Sequence, residues 1–308
     1  MKDGATTVVK DCLRIKPYEK VLIITDNKML KVAKMLYNAS RKINSNTTLM
    51  LMKPTKRSGA EPPKLVKEAM KKSDIALLVT YHSLSHTKAR TEACKSGARI
   101  ASMPKLAEFS LKKGGLTADY EEVNRLCKRM LKAVKRSKTI RIISEKGTDI
   151  IFSVEGRTWH DDEGKIHKRG HWGNLPAGEV ATAPIEETAN GVIVFDHLGD
   201  FGKNVRVDVI DGLAEKVFGS KKMEKAFKQL GRKARVVAEI GIGTNPKAKI
   251  IGNVLEDEKV FGTVHIAFGN NLEGGGSNYV QLHKDGMIIN PTLIADGRIL
   301  IKDGKWKI

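Results

Sequence analysis

Three cysteines in 308 residues, Cys12, Cys94 and Cys127, are too few and too far apart for a disulfide frame or a cysteine-rich zinc cluster. They read as reduced, packed thiols. No stretch reaches the roughly 18 to 20 apolar residues of a membrane span. The opening MKDGATTVVKDCLRIKPYEK lacks the apolar core of a signal peptide, so a cytoplasmic protein without a membrane partner is expected. No GxGxxG follows the first apolar strand segment, and no dinucleotide is inferred. Aromatic residues make up 5% of the chain and are scarce in its first half, which argues against a stacking platform for single-stranded nucleic acid.

Positive charge, by contrast, is abundant and unevenly placed. Residues 1–150 hold 33 Lys and Arg against 14 Asp and Glu, which accounts for +19 of the chain's +20, and the remainder is near neutral at 22 against 21. Such a surface can neutralise the phosphates of nucleic acid or a ribosome without reading sequence. A lysine-rich solvated helix surface is the ordinary alternative.

The length suggests two domains. KVLIITD (20–26) and TLMLMKP (48–54) flank a helical MLKVAKMLYNASRKI. PPKLVKEAMKKS then precedes the strand IALLVTY (75–81), and TKARTEACKSG precedes ARIASMP. Alternating strand and helix imply an α/β class, with a Rossmann-like open parallel sheet over residues 1–137. From 138 the pattern turns to strands and turns, starting with a hairpin at Lys146-Gly147 in TIRIISEKGTDIIFSVEG. NGVIVFD, VRVDVIDGLAEKV and GRILIKDGKWKI continue it, with MEKAFKQLGRKA as a single helix. Residues 138–308 therefore form a mixed α+β domain.

That second domain carries the residues with chemical potential. GTVHIAFGNNLEGGGSNYVQLHKD (262–285) reads as an apolar strand ending in His265, a glycine-rich crossing, then His283 and Asp285. Residues i and i+2 of a strand share a face, so His283 and Asp285 can reach one ion while Lys284 faces away. Taken alone, His265 reads as a packed histidine and 283–285 as a polar hairpin end. Two upstream carboxylates shift that balance. Glu179 stands at the edge of an extended run in NLPAGEVATAP, and Glu239 closes a strand-like VVAEI. Charge at the end of an apolar strand is costly unless solvated or paired.

Four segments in this order, NLPAGEVATAP (174–184), AEIGIGTNP (238–246), DEKVFGTVHIAFG (257–269) and HKD (283–285), resemble the metal-dependent aminopeptidases of the aminopeptidase T and aminopeptidase S type, a leucyl aminopeptidase family. The resemblance implies that Glu179, Glu239, His265, His283 and Asp285 hold two divalent ions, zinc, manganese or cobalt, with Glu239 bridging. It also implies a homodimer acting on the amino termini of short peptides. Glu179 is expected as a ligand, with general base as its alternative role. A family tyrosine is replaced by Leu272, and Tyr279 is the only tyrosine in the shortened connection. The same fold is similar to that of the 2,5-dihydroxypyridine dioxygenases, and His265, His283 and Asp285 form a two-histidine, one-carboxylate set suited to non-haem Fe(II). A non-catalytic nucleic-acid or ribosome-binding factor is the third reading.

Two further histidine groups stand apart. His86 and Arg90 follow a strand end, where α/β folds place ligands, but helix capping by Ser85 or Thr87 is the expected role there. His160, Asp161, Asp162, His167 and His171, between Trp159 and Trp172, are expected to form an exposed flexible loop covering the site rather than ligands to it.

Overall fold

All six residues of β1 (Val21–Asp26) and all five of β3 (Ile75–Val79) are buried. Strands of a parallel sheet covered on both faces show this pattern. In the computed structural model, which describes residues 3–308, β1 runs parallel to β2 (Thr47–Met52) on one side and β3 on the other. β4 (Arg99–Ser102) pairs in parallel with β3. Ahead of β1 lies a short helix, α1 (Gly4–Thr7). The crossovers are α2 (Leu30–Arg41), α3 (Lys64–Lys72) and α4 (Lys88–Lys95), as their apolar spacing predicts. In α3, Val66 and Met70 are one turn apart and both buried, while Lys71 and Lys72 complement the helix C-terminus. They pack with Leu22, Ile24, Leu78 and Ile100 in one core.

After α5 (Glu108–Lys112) and α6 (Tyr120–Val134), the hairpin of β5 (Thr139–Ile143) and β6 (Asp149–Ser153) turns at Gly147, whose φ of 100° suits glycine. The short β7 (His160–Asp162) follows. The chain then adds β8 (Trp172–Asn174) to the first sheet, parallel to β4, giving the order β2-β1-β3-β4-β8. The first of two compact units takes the residues up to Asn124 together with Asp162–Ala177 and Pro246–Lys249.

The second unit is built on a curled antiparallel sheet. Its strands are β5, β6 and β7 together with β9 (Glu179–Thr182), β10 (Asn190–His197), β11 (Lys203–Ile210), β12 (Leu213–Phe218), β13 (Val237–Gly243), β14 (Val264–Gly269), β15 (His283–Ile288), β16 (Thr292–Ala295), β17 (Arg298–Lys302) and β18 (Lys305–Trp306). The order is β18-β17-β16-β5-β6-β10-β15-β14-β13-β9-β7, with β11 and β12 branching from β10. The expected helix is α7 (Lys221–Leu230): Ser220 caps it by accepting from Met223 N at 3.1 Å, Met223 and Phe227 are buried one turn apart, and Gly231 ends it at φ 73°. A one-turn helix, α8 (Val254–Asp257), precedes β14.

Two placements correct the sequence reading. Glu239 is the third residue of a seven-residue strand rather than its last, and His265 is the second residue of β14 rather than its end. Both strands continue through buried glycine and apolar residues, Ile240 to Gly243 and Ile266 to Gly269, so the polar residue did not mark a boundary. Among the described residues no helix is long and apolar enough to cross a membrane.

Candidate metal centre

Directly opposed residues of an antiparallel pair point to the same side of the sheet, and so do residues i and i+2 of one strand. Gly243 opposes Glu179, Gly241 opposes His265, Ala267 opposes both Glu239 and Asp285, and Gly269 opposes His283. The register therefore brings all five expected ligands to one face of β9-β13-β14-β15. Between them the face carries only glycine and alanine, and this smallness is required. A Cβ on Gly241 would lie 2.0 Å from Cε1 of His265, and one on Gly243 would lie 2.0 Å from the Val260 carbonyl oxygen.

That Val260 contact sets the segment after α8 against the sheet. Asn253 caps α8 by accepting from Leu255 N at 3.2 Å, and Lys259 O accepts from Asn245 N at 2.8 Å. Glu258 and Lys259 are thereby turned inward, and Lys259 is fully buried. Its ammonium lies 2.5 Å from Glu179 Oε1 and 2.8 Å from Glu258 Oε1. The other oxygen of Glu179, Oε2, is buried, accepts no hydrogen bond from the described residues and lies 3.6 Å from His265 Nε2. From there the charges form a chain: His265 Nε2 to Glu239 Oε1 at 3.3 Å, Glu239 Oε1 to His283 Nε2 at 3.8 Å, and His283 Nε2 to Asp285 Oδ1 at 3.2 Å. His283 Nδ1 donates to the Asn270 carbonyl at 2.7 Å, which fixes the ring with Nε2 toward the carboxylates.

Electrostatics follow from this alternation. Burial opposes charge on both imidazoles, but Glu239 and Glu179 outweigh it and raise His265 to about 9, while Asp285 and Glu239 raise His283 well above its ordinary range. Against the same burial, His265 and His283 hold Glu239 far below the usual carboxylate range, and His283 likewise lowers Asp285. Glu258 moves the other way, to about 7, through burial and the charges of Glu179 and Asp285, with Lys259 opposing. Protonated imidazoles are here the cations set against a carboxylate-rich cluster, and their protons are what a divalent ion would displace there.

Two groups can hold an ion: Glu179, Glu258 and His265, and Glu239, His283 and Asp285, each with its ligand atoms within 4.8 Å of one another. The donor set fits a divalent cation, and the undonated, buried Glu179 Oε2 is the kind of atom such a cation satisfies. His265 groups with the glutamates of β9 and the α8 segment, and it reaches the His283 and Asp285 of the two-histidine set through Glu239 Oε1, which lies near both imidazoles. Sequence reasoning missed Glu258 and Lys259. The signal was the run Asp257-Glu258-Lys259 directly ahead of an apolar strand, which reads as solvated surface until the backbone turns it inward.

Leu272 and Tyr279 are both solvent-exposed, 47% and 60%. Thr87, not Ser85, caps α4 by accepting from Arg90 N at 3.2 Å, while Arg90 Nε donates to Ser85 O and its guanidinium lies 4.0 Å from the Trp172 ring centroid. The expected flexible loop is instead anchored. Asp162–Ala177 belongs to the first unit, β8 extends its sheet, and His167 Nε2 donates to Asp11 O at 2.8 Å.

A family model described as NicX, 2,5-dihydroxypyridine 5,6-dioxygenase, matches residues 4–307. Among solved structures the chain is similar to 2,5-dihydroxypyridine dioxygenase from Pseudomonas putida KT2440, with a TM-score of 0.80 and 15% identity over 99% of this chain and 96% of that one. It is also similar to wild-type AmpT from Thermus thermophilus, with a TM-score of 0.71 and 19% identity over 99% and 98%. No curated protein sequence matches. The dioxygenase and aminopeptidase structures share this fold, and it is the family match that separates them.

Proposed function

The chain belongs to the NicX family, 2,5-dihydroxypyridine 5,6-dioxygenase, and on that premise we propose that it is a non-haem Fe(II) dioxygenase that opens a dihydroxylated nitrogen-heterocyclic ring. The observation that carries this reading is the family match across residues 4–307. Metallo-aminopeptidase, the main expectation from the sequence, is left with a shared fold and an enzyme's metal-ligating residues.

The position of Lys259 favours one ion over two. Its ammonium lies against both the Glu179 and Glu258 carboxylates, so that corner holds a tethered cation where a second metal would otherwise sit. His265, His283 and Asp285 are the proposed ligands, with Glu239 as the carboxylate shared by both imidazoles. Bound Fe(II) supplies redox chemistry toward dioxygen that side chains lack. Glu179 Oε2 accepts no hydrogen bond from the described residues and lies 3.6 Å from His265 Nε2, which supports Glu179 as the base for a ring hydroxyl proton. Lys259 holds that carboxylate in position through Oε1.

The test is metal content per chain after air-free purification, with oxygen uptake on adding 2,5-dihydroxypyridine. One iron per chain and oxygen consumption in step with loss of the ring are expected. Two zinc, manganese or cobalt ions, with amino acids released from short peptides, would overturn the reading in favour of the aminopeptidase.

A further inference from the structure

The carboxyl edge of the first unit's sheet gathers positive charge at one point. In the order β2-β1-β3-β4-β8 the strand succession reverses between β1 and β3. Ligands of open α/β sheets bind outside the carboxyl ends of the strands at such a reversal. Lys28 follows β1, Tyr81 and His82 follow β3, and Lys105 follows β4. The Lys28 ammonium lies 3.8 Å from the Tyr81 ring centroid and that of Lys105 lies 5.0 Å from the same centroid. The two ammonium nitrogens are therefore within about 9 Å of each other, comparable to a Debye length at physiological salt. His82 joins them, its ring centroid 5.0 Å from that of Tyr81.

The local backbone is arranged around this cluster. Asp26 ends β1, and its oxygens accept from Lys28 N at 3.0 Å, Met29 N at 3.2 Å and Tyr81 N at 2.6 Å. It acts as the knot that ties the two loops together. Lys105 is held at φ 53°, a left-handed conformation unfavourable for a long side chain, by its N–H to Thr80 O at 2.9 Å. Burial, then Lys105 and Lys28, lower the pKa of His82, with Asp26 opposing. Two ammonium groups and an imidazole held around one ring raise the local positive potential, which draws an anion.

We propose that Lys28, Lys105 and His82, set around Tyr81 at the β1–β3 reversal, form a binding site for a phosphate group, free or carried as a small monoester. Lysine is a point-charge phosphate binder, and two of them with an imidazole match a dianion of that size. A long polyanion needs a continuous track of cations, whereas here the convergence is on one ring.

The test is calorimetric titration of the full chain with inorganic phosphate and, separately, with a nucleoside 5′-monophosphate at constant ionic strength. The Lys28→Ala, Lys105→Ala double variant is run alongside, with His82 followed by proton NMR. Saturable binding with movement of the His82 resonances, weakened about tenfold or more in the double variant, is expected. Tighter binding of the monoester would identify an ester as the source, and equal or tighter binding of inorganic phosphate would identify free phosphate. Absence of saturable binding, equal affinity in wild type and double variant, or binding only of a single-stranded RNA would overturn the proposal. Lys28→Arg with Lys105→Arg, which keeps both charges, guards against misfolding and should retain binding.

Discussion

Two halves of one charged cluster set cations against their carboxylates in different ways. Around Glu179 and Glu258 the cation is the Lys259 ammonium, covalently tethered and fully buried. Around Glu239 and Asp285 it is a pair of imidazoles whose protons can leave. A tethered cation cannot be displaced by a metal, whereas imidazole protons are exchanged for one whenever an ion binds. On the proposed function, this difference puts the ion in the second half and makes the first half a fixed electrostatic wall. Removing a ligand from the metal-holding half should have the largest effect: His283→Ala or Asp285→Ala should abolish iron retention and oxygen uptake. The loss should exceed the roughly 10 to 100-fold typical of removing a partner that only orients a ligand. Iron per chain by elemental analysis checks this, and retention in both variants would remove the second half from the metal centre.

The comparison breaks most directly at Lys259. Lys259→Met keeps most of the side-chain volume and removes the charge, leaving Glu179 and Glu258 buried beside each other. Stability should fall by about 3–5 kcal/mol, the cost of an uncompensated buried charge. Divalent ions in the buffer should recover much of it, because the Glu179, Glu258 and His265 group is then open to a second equivalent. Denaturation with and without added manganese, alongside metal stoichiometry, reads both effects. A variant that binds one ion, unfolds like wild type and gains nothing from metal would show that Lys259 does not set the number of ions.

A smaller effect separates the metal-free from the metal-loaded protein by pH. His265 has its folded-state pKa raised to about 9, above its unfolded value. Its contribution to stability is therefore complete below roughly pH 6.5 and is lost as pH rises through 9, on the order of 1–3 kcal/mol. With the ion bound, the imidazole is a neutral ligand and this slope should vanish. Thermal unfolding of stripped and loaded protein between pH 6 and 10 tests it, and parallel profiles would mean that His265 is not a ligand.

The five candidate ligands were readable in the sequence because their residue types are rare at strand positions and their segments keep the order of the family they resemble. It could not show which half each would join, since that depends on register. His265 stands opposite Gly241 and Met287, and only this pairing, with a glycine that leaves room for the ring, turns it toward Glu179 and Glu239. Lys259 was illegible for a similar reason. A lysine beside two acids reads as surface, and its burial depends on the α8 segment lying over Gly243, a long-range contact with no local signature. The parallel sheet was legible because continuous apolar runs such as VLIITD and IALLV leave no exposed face. The segment 159–172 misled for the opposite reason: its glycines and lysines suggested freedom, while β8 pairing and the His167 contact hold it.

The smallest expected effect concerns the loop that positions His283. Asn270 supplies the carbonyl for His283 Nδ1, and the glycine-rich residues after it are gathered by Glu186, which accepts from Asn271 Nδ2 and from Ser277 N, each at 2.8 Å, and pairs with Arg157. Burial works against its charge, but these donors and the guanidinium hold its carboxyl down to about 2, so the anchor persists across the working pH range. Glu186→Ala leaves those donors to water and should cost about 1–2 kcal/mol. Because the loop meets His283 itself through the Asn270 carbonyl, with Asn278 Nδ2 donating to the opposing Gly269 O at 2.6 Å, iron affinity should drop by no more than about tenfold, the lower end of what loss of an orienting partner costs. The Lys259 corner should be untouched. Amide exchange over residues 270–278 with an iron titration distinguishes the outcomes: faster exchange with weaker iron binding means the loop orients His283, and faster exchange with unchanged affinity means β15 alone does so.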